Sequence, residues 1–344
     1  MPGMTKPIFS RRDFLKAASY GWLGLVLPDF SYLSSSPYEF TNLHGRIIER
    51  AVWSYDEPSP KAKRLRLYWH DLVVPITNTA IGEEESHNRV WYQLEEDGYA
   101  YSGDIQPVRT VLNKPQSIPT RGTLGEVSVP FTDAYLDPDS GSELIYRLYY
   151  ETLHWVAGVV DTADGSSWYR LLDDKFDRYY YVLAGHIRLI PDEELTPLSP
   201  QVPVEKKRIE VRLDEQVLLA YENGVIVFAI RVSTGGKRLS ASYTTPVGDF
   251  ITYHKRPTRH MANGDLASNG FDFPGVPWVL YITESGISFH GTYWHNDYGY
   301  PHSHGCINMT PQAAKWLDRW TMPVVPPDKY LIYGYTGTRV EIRV

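Results

Sequence analysis

The sequence of 344 residues predicts a mainly β protein, in which two small β-barrels precede a β-sandwich that carries one short helix. Three observations support this class. The chain contains 26 Tyr and 10 Trp, residue types that are favoured in strands. Short segments of alternating apolar and polar residues are separated by turn residues. One order of such segments also occurs twice before residue 200, which indicates an internal repeat.

Residues 1–36 are predicted to be a signal segment rather than part of a folded domain. Residues 10–16 contain Arg11 and Arg12 and resemble the twin-arginine signal of proteins that are exported already folded. The apolar run at residues 17–27 has 11 residues, whereas a membrane span needs roughly 20. The resemblance implies an extracytoplasmic location, in the cell wall or a periplasm-equivalent space. Cleavage of the segment, its retention as a membrane tether, and a short amphipathic helix with a chance arginine pair all stay open.

Residues 45–110 and 121–191 are predicted to be two copies of one small barrel. Each copy has a short strand, a proline turn and later a Trp-Tyr strand, which contains Trp91 in the first copy and Trp168 in the second. Units of this size with many short strands are typical of small barrels. The pattern resembles bacterial SH3 domains, which implies either binding to the cell wall or a spacer role.

A linker is predicted at residues 192–206, because three prolines interrupt this segment. The third unit covers residues 207–344. It opens with an alternating strand and a hairpin whose turn is Asn223-Gly224. Further strands are predicted at residues 250–253, 278–282 and 287–290. One helix is predicted up to Trp320, with Thr310 as its N-cap and Pro311 in its first turn.

Composition excludes several classes of function. The net charge is -7, and a nucleic-acid partner would require a basic face. The single cysteine cannot form an intrachain disulfide. Four histidines raise the question of zinc, but their spacing fits no standard zinc motif: His254, His260, His295 and His302. We therefore expect neither a metal nor a cofactor.

The residues that indicate chemistry lie between positions 289 and 309. Cys306, the only cysteine, follows Gly305 and precedes the predicted helix, and His290 ends a predicted strand about 15 residues earlier. An imidazole that returns against the thiol can accept its proton and leave a thiolate–imidazolium pair. Gly305 allows a substrate to approach the backbone. Backbone N–H groups around His304, Gly305 and Cys306 are candidate donors to an oxyanion.

These residues resemble the L,D-transpeptidase catalytic domain of the YkuD type over residues 207–327. The resemblance rests on four segments in order: Ser233-Thr234-Gly235-Gly236, Thr245-Pro246-Val247-Gly248, His290-Gly291 and Ser303-His304-Gly305-Cys306. It implies a β-sandwich and a peptidoglycan stem peptide as substrate. Cys306 would form a thioester with a tetrapeptide stem, release D-alanine and pass the acyl group to an amine, as part of cell wall biogenesis. His290 would be the base, the Gly291 carbonyl would orient it, and His304 would line the site.

The resemblance also suggests residues that contact the substrate. The commoner family motif has Arg two positions after the cysteine, where this chain has Asn308, and the loss of this charge could change carboxylate recognition. Tyr293 and Trp294, like Trp278, either line the groove or pack. The full predicted substrate-binding set is Ser303, Asn308, Thr245, Pro246, Gly248, Tyr293 and Trp294.

Three alternatives stay open at this point. The same acyl-enzyme could deliver its acyl group to water, which would make the protein an L,D-carboxypeptidase. A non-catalytic protein that binds the cell wall is a second alternative. Ser303 is a rival nucleophile, although no serine-enzyme motif surrounds it.

Overall fold

The computed structural model describes residues 40–84, 86–95, 97–238, 241–264 and 270–344. The predicted signal segment at residues 1–36 lies outside these ranges. No helix within them is both long enough and apolar enough to cross a membrane.

The first part of the chain is a seven-stranded sheet, which we call the first β unit. Its strands are β1 (His44–Ile47), β2 (Ala51–Tyr55), β3 (Arg64–Trp69), β4 (Val73–Ile81), β5 (Val90–Leu94), β6 (Tyr99–Tyr101) and β7 (Ile105–Val108). Their order in the sheet is β3-β2-β6-β5-β4-β1-β7, and a 3₁₀ turn at Ser102–Asp104 joins β6 to β7.

A second sheet of seven strands, the second β unit, follows. Its strands are β8 (Thr123–Val127), β9 (Phe131–Tyr135), β10 (Leu144–Tyr149), β11 (Leu153–Asp161), β12 (Ser167–Asp173), β13 (Arg178–Leu183) and β14 (Ile187–Leu189), with a 3₁₀ turn at Ala184–His186. The order β10-β9-β13-β12-β11-β8-β14 repeats that of the first unit strand for strand. The aromatic pair Tyr55–Trp91 of the first unit, with ring centroids 5.8 Å apart, recurs as Tyr135–Trp168 at 6.0 Å. Their likeness to SH3 barrels stays a prediction.

The segment between the second unit and the C-terminal domain is packed rather than free. It forms 3₁₀ turns at Asp192–Leu195 and Val204–Lys206. Leu195 and Leu198 lie against the main hydrophobic core, and the backbone N–H of Leu198 donates to the Arg319 carbonyl at 2.8 Å. The predicted linker therefore fixes its neighbours in place.

The C-terminal domain packs two five-stranded sheets and one helix around a common core. The first sheet has the order β17-β16-β15-β26-β20, the second has β24-β23-β22-β21-β25, and β18 pairs with β19. The strands are β15 (Lys207–Arg212), β16 (Val217–Glu222), β17 (Val225–Arg231), β18 (Lys237–Arg238), β19 (Ala241–Ser242), β20 (Gly248–Ile251), β21 (His254–Asn263), β22 (Phe271–Tyr281), β23 (Ser288–Gly291), β24 (Ile307–Met309), β25 (Ile332–Tyr333) and β26 (Arg339–Arg343). The helix α1 spans Pro311–Trp320. The expected sandwich with one short helix agrees with this arrangement.

Two local features of this domain follow directly from sequence signals. Asn223 and Gly224 have φ of 50° and 81°, and positive φ at both central residues is what a two-residue hairpin requires. Thr310 caps α1, since its side chain accepts a hydrogen bond from the Ala313 N–H at 3.3 Å. Pro311 occupies the first turn, where its missing N–H costs no helical hydrogen bond. The predicted hairpin turn and the predicted start of the helix are both confirmed.

The second unit shares a hydrophobic core with the C-terminal domain, and the first unit does not. One hydrophobic cluster includes Leu153 and Trp155 of the second unit together with Ile209, Phe289 and Leu317 of the C-terminal domain. The first unit has a separate cluster of its own. The second unit and the C-terminal domain therefore share apolar packing, whereas the first unit is attached by other means.

Candidate active site

Strands β23 and β24 bring the two predicted catalytic residues to neighbouring positions. They pair in parallel, with His290 opposite Asn308, and Cys306 immediately precedes β24. Side chains alternate between faces along a strand, so Ser288 and His290 share a face, as do Cys306 and Asn308. Residues that pair directly point the same way, which places Cys306 on the face of His290.

His290 is held in one tautomer by the residue that follows it. Its side chain is 2% exposed, and Nδ1 lies 3.0 Å from the Gly291 carbonyl oxygen. A carbonyl can only accept, so Nδ1 carries the proton and Nε2 keeps its lone pair. Burial lowers the pKa of His290 to about 4. The imidazole is therefore neutral near pH 7 and able to accept a proton, and Gly291 occupies the position predicted for the orienting residue.

Cys306 is half-buried and contacts the strand opposite it. Its Sγ lies 3.6 Å from the Ser288 hydroxyl and 3.8 Å from the Gly286 carbonyl oxygen. Burial raises the pKa of the thiol, and hydrogen bonding from Ser288 offsets part of that rise. No hydrogen bond joins Cys306 to His290 in the described part of the chain. The resting pair is therefore a thiol beside a neutral imidazole, and the thiolate–imidazolium pair can form only when the proton moves.

The turn before Cys306 is fixed by two hydroxyl groups. The Gly305 N–H donates to Ser303 Oγ at 3.1 Å, and Ser303 Oγ donates to the Cys306 carbonyl at 2.5 Å. Thr245 Oγ1 donates to the Gly305 carbonyl and accepts from the Gly235 N–H, each at 2.8 Å. Three of the motif segments thus meet at this turn. The Gly305 N–H, predicted as an oxyanion donor, is already bonded to Ser303.

Gly305 also meets a steric requirement. Its φ is +116°, and a Cβ at this position would lie 2.6 Å from Ile287 Cδ1. A side chain here would therefore be strained in its backbone and would displace Ile287. The glycine permits the tight turn that places Cys306 opposite Ser288.

Aromatic rings lie next to His304 and next to His290. His304 lies 4.4 Å from the Tyr243 ring and 5.7 Å from the Phe271 ring. Trp294 stacks on Phe273 at 4.0 Å, and its ring centroid is 5.7 Å from that of His290. A role for His304 and Trp294 in lining a substrate groove stays a prediction.

Several predicted substrate contacts point into the protein. Asn308 is 1% exposed, and its Nδ2 donates to His295 Nε2 at 3.0 Å. Tyr293 is buried and donates to the Pro274 carbonyl at 3.3 Å. Trp278, one of the groove candidates, is in the core. Pro246 is partly exposed, and Gly248 begins β20. A role for these residues in binding substrate stays a prediction.

Ser288 is the site residue that the motifs did not reveal. Strand alternation provides a signal for it, because it lies two positions before His290 and must share its face. Within the described ranges, no group of three or more His, Cys, Asp or Glu residues is arranged to hold a metal ion.

Comparisons with known proteins identify the domain that contains this site. Residues 206–342 match the model of the YkuD family, the L,D-transpeptidase catalytic domain. No curated protein matches the chain.

Solved structures of L,D-transpeptidases are similar to parts of the chain. The protein from Xylanimonas cellulosilytica is 33% identical, with 40% of this chain and 59% of that chain covered and a TM-score of 0.29. The catalytic domain from Enterococcus faecium is 24% identical, with 40% and 97% covered and a TM-score of 0.31. The protein from Mycobacterium smegmatis is 15% identical, with 52% and 91% covered and a TM-score of 0.33. The match to the Xylanimonas protein thus spans less than two thirds of that chain.

Proposed function

We propose that Cys306 is the nucleophile of a peptidoglycan L,D-transpeptidase reaction with His290 as its base, in the domain at residues 206–342 that matches the YkuD family of L,D-transpeptidase catalytic domains. One observation carries the proposal: the only cysteine of the chain lies on the same strand face as a buried histidine whose Nδ1 is bonded to the Gly291 carbonyl. That bond directs the basic Nε2 away from the backbone. A thiol and a fixed neutral imidazole are what nucleophilic acyl transfer requires.

In the first half of the proposed reaction, Cys306 attacks the carbonyl carbon before the terminal D-alanine of a tetrapeptide stem. The thiol proton passes to His290 Nε2 as the S–C bond forms. Collapse of the tetrahedral intermediate breaks the C–N bond, and the departing amine takes the proton from His290. D-alanine leaves, and a thioester on Cys306 remains.

In the second half, an amine of a neighbouring stem attacks the thioester. His290 accepts a proton from this amine and returns one to the departing sulfur, so the free thiol is restored and a new amide bond links the two stems. Water in place of the amine would give a carboxypeptidase. Trp294, whose ring lies 5.7 Å from that of His290, and His304, which packs on Tyr243, are the residues proposed to limit the access of water.

The location and the partners belong to the same proposal. The segment that resembles a twin-arginine signal supports export of the folded chain to the compartment that holds peptidoglycan. Stem peptides are the proposed partners. The first and second β units are proposed to contact the wall or to space the catalytic domain from the membrane.

The test uses the chain without residues 1–36 and a purified disaccharide-tetrapeptide, with mass spectrometry of the products. Wild type and Cys306→Ala are compared, and His290→Gln removes the base while it keeps a polar side chain. We expect a cross-linked dimer and free D-alanine from wild type only. His290→Gln should lose roughly 100-fold or more in turnover.

The other results are equally informative. Tripeptide and free D-alanine without dimer would assign the carboxypeptidase reaction. Equal product from wild type and Cys306→Ala would overturn the proposed mechanism.

A further inference from the structure

The loop that connects His290 to Cys306 is held by a different part of the molecule, the first β unit. At residues 292–302, the backbone N–H of Asn296 donates to the Gly103 carbonyl at 3.1 Å. The Asn296 side chain donates to the Ser102 and Ile105 carbonyls, each at 3.1 Å. One asparagine thus satisfies three backbone carbonyls in the 3₁₀ turn after β6 and at the start of β7, which fixes the register of the contact.

Asp297 lies at the centre of this contact. Its Oδ1 accepts from the Tyr101 hydroxyl at 2.7 Å and from His87 Nε2 at 2.8 Å, both in the first unit. Its Oδ2 lies 3.2 Å from Nε2 of His302, which precedes Cys306 by four positions. Burial alone would raise the pKa of Asp297, but the hydrogen bonds from His302, Tyr101 and His87 together hold it well below its usual range. At neutral pH Asp297 is therefore an anion that joins two parts of the protein.

The same loop is tied to the strand segment that enters the active site. Ser233 Oγ donates to the Asp297 carbonyl at 3.2 Å, and the Ser233 N–H donates to the Asn308 carbonyl at 2.9 Å. The N–H groups of His302 and Ser303 both donate to the Thr234 carbonyl at 3.1 Å. A displacement of Asp297 would thus be passed to residues on both sides of Cys306.

A second contact secures the start of the loop. Arg46 of the first unit is 1% exposed, and its Nη2 donates to the Tyr293 carbonyl at 2.7 Å. The same guanidinium bonds Asp71 and Gln106. Arg46 is buried and bonds a carboxylate, an amide side chain and a backbone carbonyl. Its removal would therefore disturb all the contacts between the first β unit and the start of the loop. Asp297, which is bonded to His302 four positions before Cys306, is the more selective residue to change.

We propose that Asp297 is a positioning residue for the acyl transfer, an inference that rests on the proposed function. Through Tyr101 and His87 it sets the position of His302 from the first β unit, and through His302 that of the turn from Ser303 to Cys306. It contacts no substrate. A misplaced turn would impair attack on the substrate carbonyl, whereas the intrinsic reactivity of the thiol would change little.

The experiment measures kcat and KM with the disaccharide-tetrapeptide, on full chains whose Cys306 has been counted by thiol titration. Asp297→Asn keeps the size of the side chain but removes its charge and one acceptor. Tyr101→Phe removes one hydroxyl and keeps the ring against Trp91. The matched control is Tyr55→Phe, because Tyr55 packs on the same Trp91 at 5.8 Å and has no hydrogen bond to Asp297 in the described residues.

We expect Asp297→Asn to lower kcat about 10- to 100-fold, with KM within about twofold, as a misplaced reacting group does. Tyr101→Phe should lower kcat by a smaller factor, and Tyr55→Phe should not change it. Alkylation of Cys306 by iodoacetamide, which needs no peptide alignment, should stay within about twofold of wild type from pH 6 to 10. In the Asp297→Asn background, Tyr101→Phe should cause a smaller further loss than it does in wild type, since the two substitutions act on one hydrogen-bond network.

The possible failures are distinguishable. A wild type with no Cys306-dependent product would overturn the proposed function and this inference with it. If wild type is active and Asp297→Asn has the same kcat per thiol, the positioning role of Asp297 is overturned and the proposed function is not. Equal losses in alkylation and in turnover would mean that Asp297 only maintains the fold, which would also overturn it.

Discussion

The first and second β units have the same strand order but are joined to the C-terminal domain by different forces. The second unit shares a continuous hydrophobic core with it, through residues such as Leu153 and Trp155. The first unit keeps its own core and reaches the domain through Arg46 and through the ring of donors around Asp297. Apolar burial stabilises without direction, whereas hydrogen bonds to charged groups fix geometry. We infer that the second unit mainly anchors the domain and the first mainly orients its active-site loop.

Trp69 and Tyr149, which occupy corresponding positions of the two units, show how the surroundings of the repeated strands differ. Trp69 ends β3 and pairs with the first residue of β2, and Tyr149 ends β10 and pairs with the first residue of β9. Trp69 is 59% exposed. Tyr149 instead stacks on Tyr293 at 5.4 Å and lies 4.0 Å from the Arg46 guanidinium. The repeat thus supplies one scaffold, and the side chains decide whether a position faces solvent or a partner.

The second unit also makes charged contacts with the C-terminal domain, and the most buried of them provides the largest expected effect. His260 is 3% exposed, its Nδ1 lies 2.9 Å from Asp173 of β12, and its Nε2 contacts Asp272. His260→Gln would leave both carboxylates without this cation, and breaking a buried ion pair costs about 3–5 kcal/mol. We expect this loss in the free energy of unfolding from urea titration at pH 6. His70→Gln is the matched control, with a side chain that is 47% exposed and an expected cost under about 1 kcal/mol.

The same contact has a defined dependence on pH. Burial would lower the pKa of His260, but its hydrogen bonds to Asp173 and Asp272 raise it above the usual value. A raised pKa in the folded state means that the contribution is complete below about pH 6.5 and is lost as pH rises through the folded pKa. The difference in the free energy of unfolding between wild type and His260→Gln should therefore become smaller as pH rises above about 6.5. A difference in stability that grows with rising pH would contradict the raised pKa of His260.

The contrast between Trp69 and Tyr149 is expected to appear as a smaller difference in stability. Tyr149→Ala removes the stack on Tyr293 and one face of the Arg46 site, so we expect a loss of about 2 kcal/mol. Trp69→Ala should change the free energy of unfolding by no more than about 0.5 kcal/mol, as exposed positions usually do. Urea titration of both variants provides the comparison. Equal losses would show that the two units use this position alike.

Replacement of Glu151 is expected to raise the free energy of unfolding, whereas replacement of Tyr149 lowers it. The size of the change should be similar or smaller. Glu151 follows the second unit's β10 by two positions and accepts a hydrogen bond from Gln312 of α1. Burial, with a smaller effect of Glu126, raises its pKa to about 8. Since the unfolded pKa is lower, the folded state loses stability as pH rises to about 8. Glu151→Gln should therefore stabilise the protein by roughly 2 kcal/mol at pH 9 and by almost nothing at pH 4, measured by thermal unfolding. Destabilisation at pH 9 would contradict the raised pKa.

Local sequence signals predicted the elements that depend on neighbouring residues. The Asn223-Gly224 hairpin, the Thr310 cap of α1 and the strand that contains His290 each follow from a few adjacent side chains. The Gly291 carbonyl and its bond to His290 were implied by the family resemblance and are found in the structure. Such features need no knowledge of distant parts of the chain.

The contacts that hold the site in place could not be predicted in this way. The bond from Arg46 to the Tyr293 carbonyl joins residues 247 positions apart, and the bond from Tyr101 to Asp297 spans 196. Nothing near either residue indicates its partner, because the contact exists only once two units have packed. Asn308 illustrates the converse, since its place in the motif suggests a substrate contact while the fold buries it against His295. Register and packing, which act over long range, decide these cases.

The central claim is that Cys306 forms a covalent acyl-enzyme, and the mass of the intact protein tests it most directly. Wild type and Cys306→Ala would be mixed with the disaccharide-tetrapeptide without an added acceptor, quenched in acid, weighed and digested. We expect wild type to gain the mass of the disaccharide-tetrapeptide minus D-alanine, on the peptide that contains Cys306, and Cys306→Ala to gain nothing. An adduct on Ser303, or the same adduct on both proteins, would contradict it.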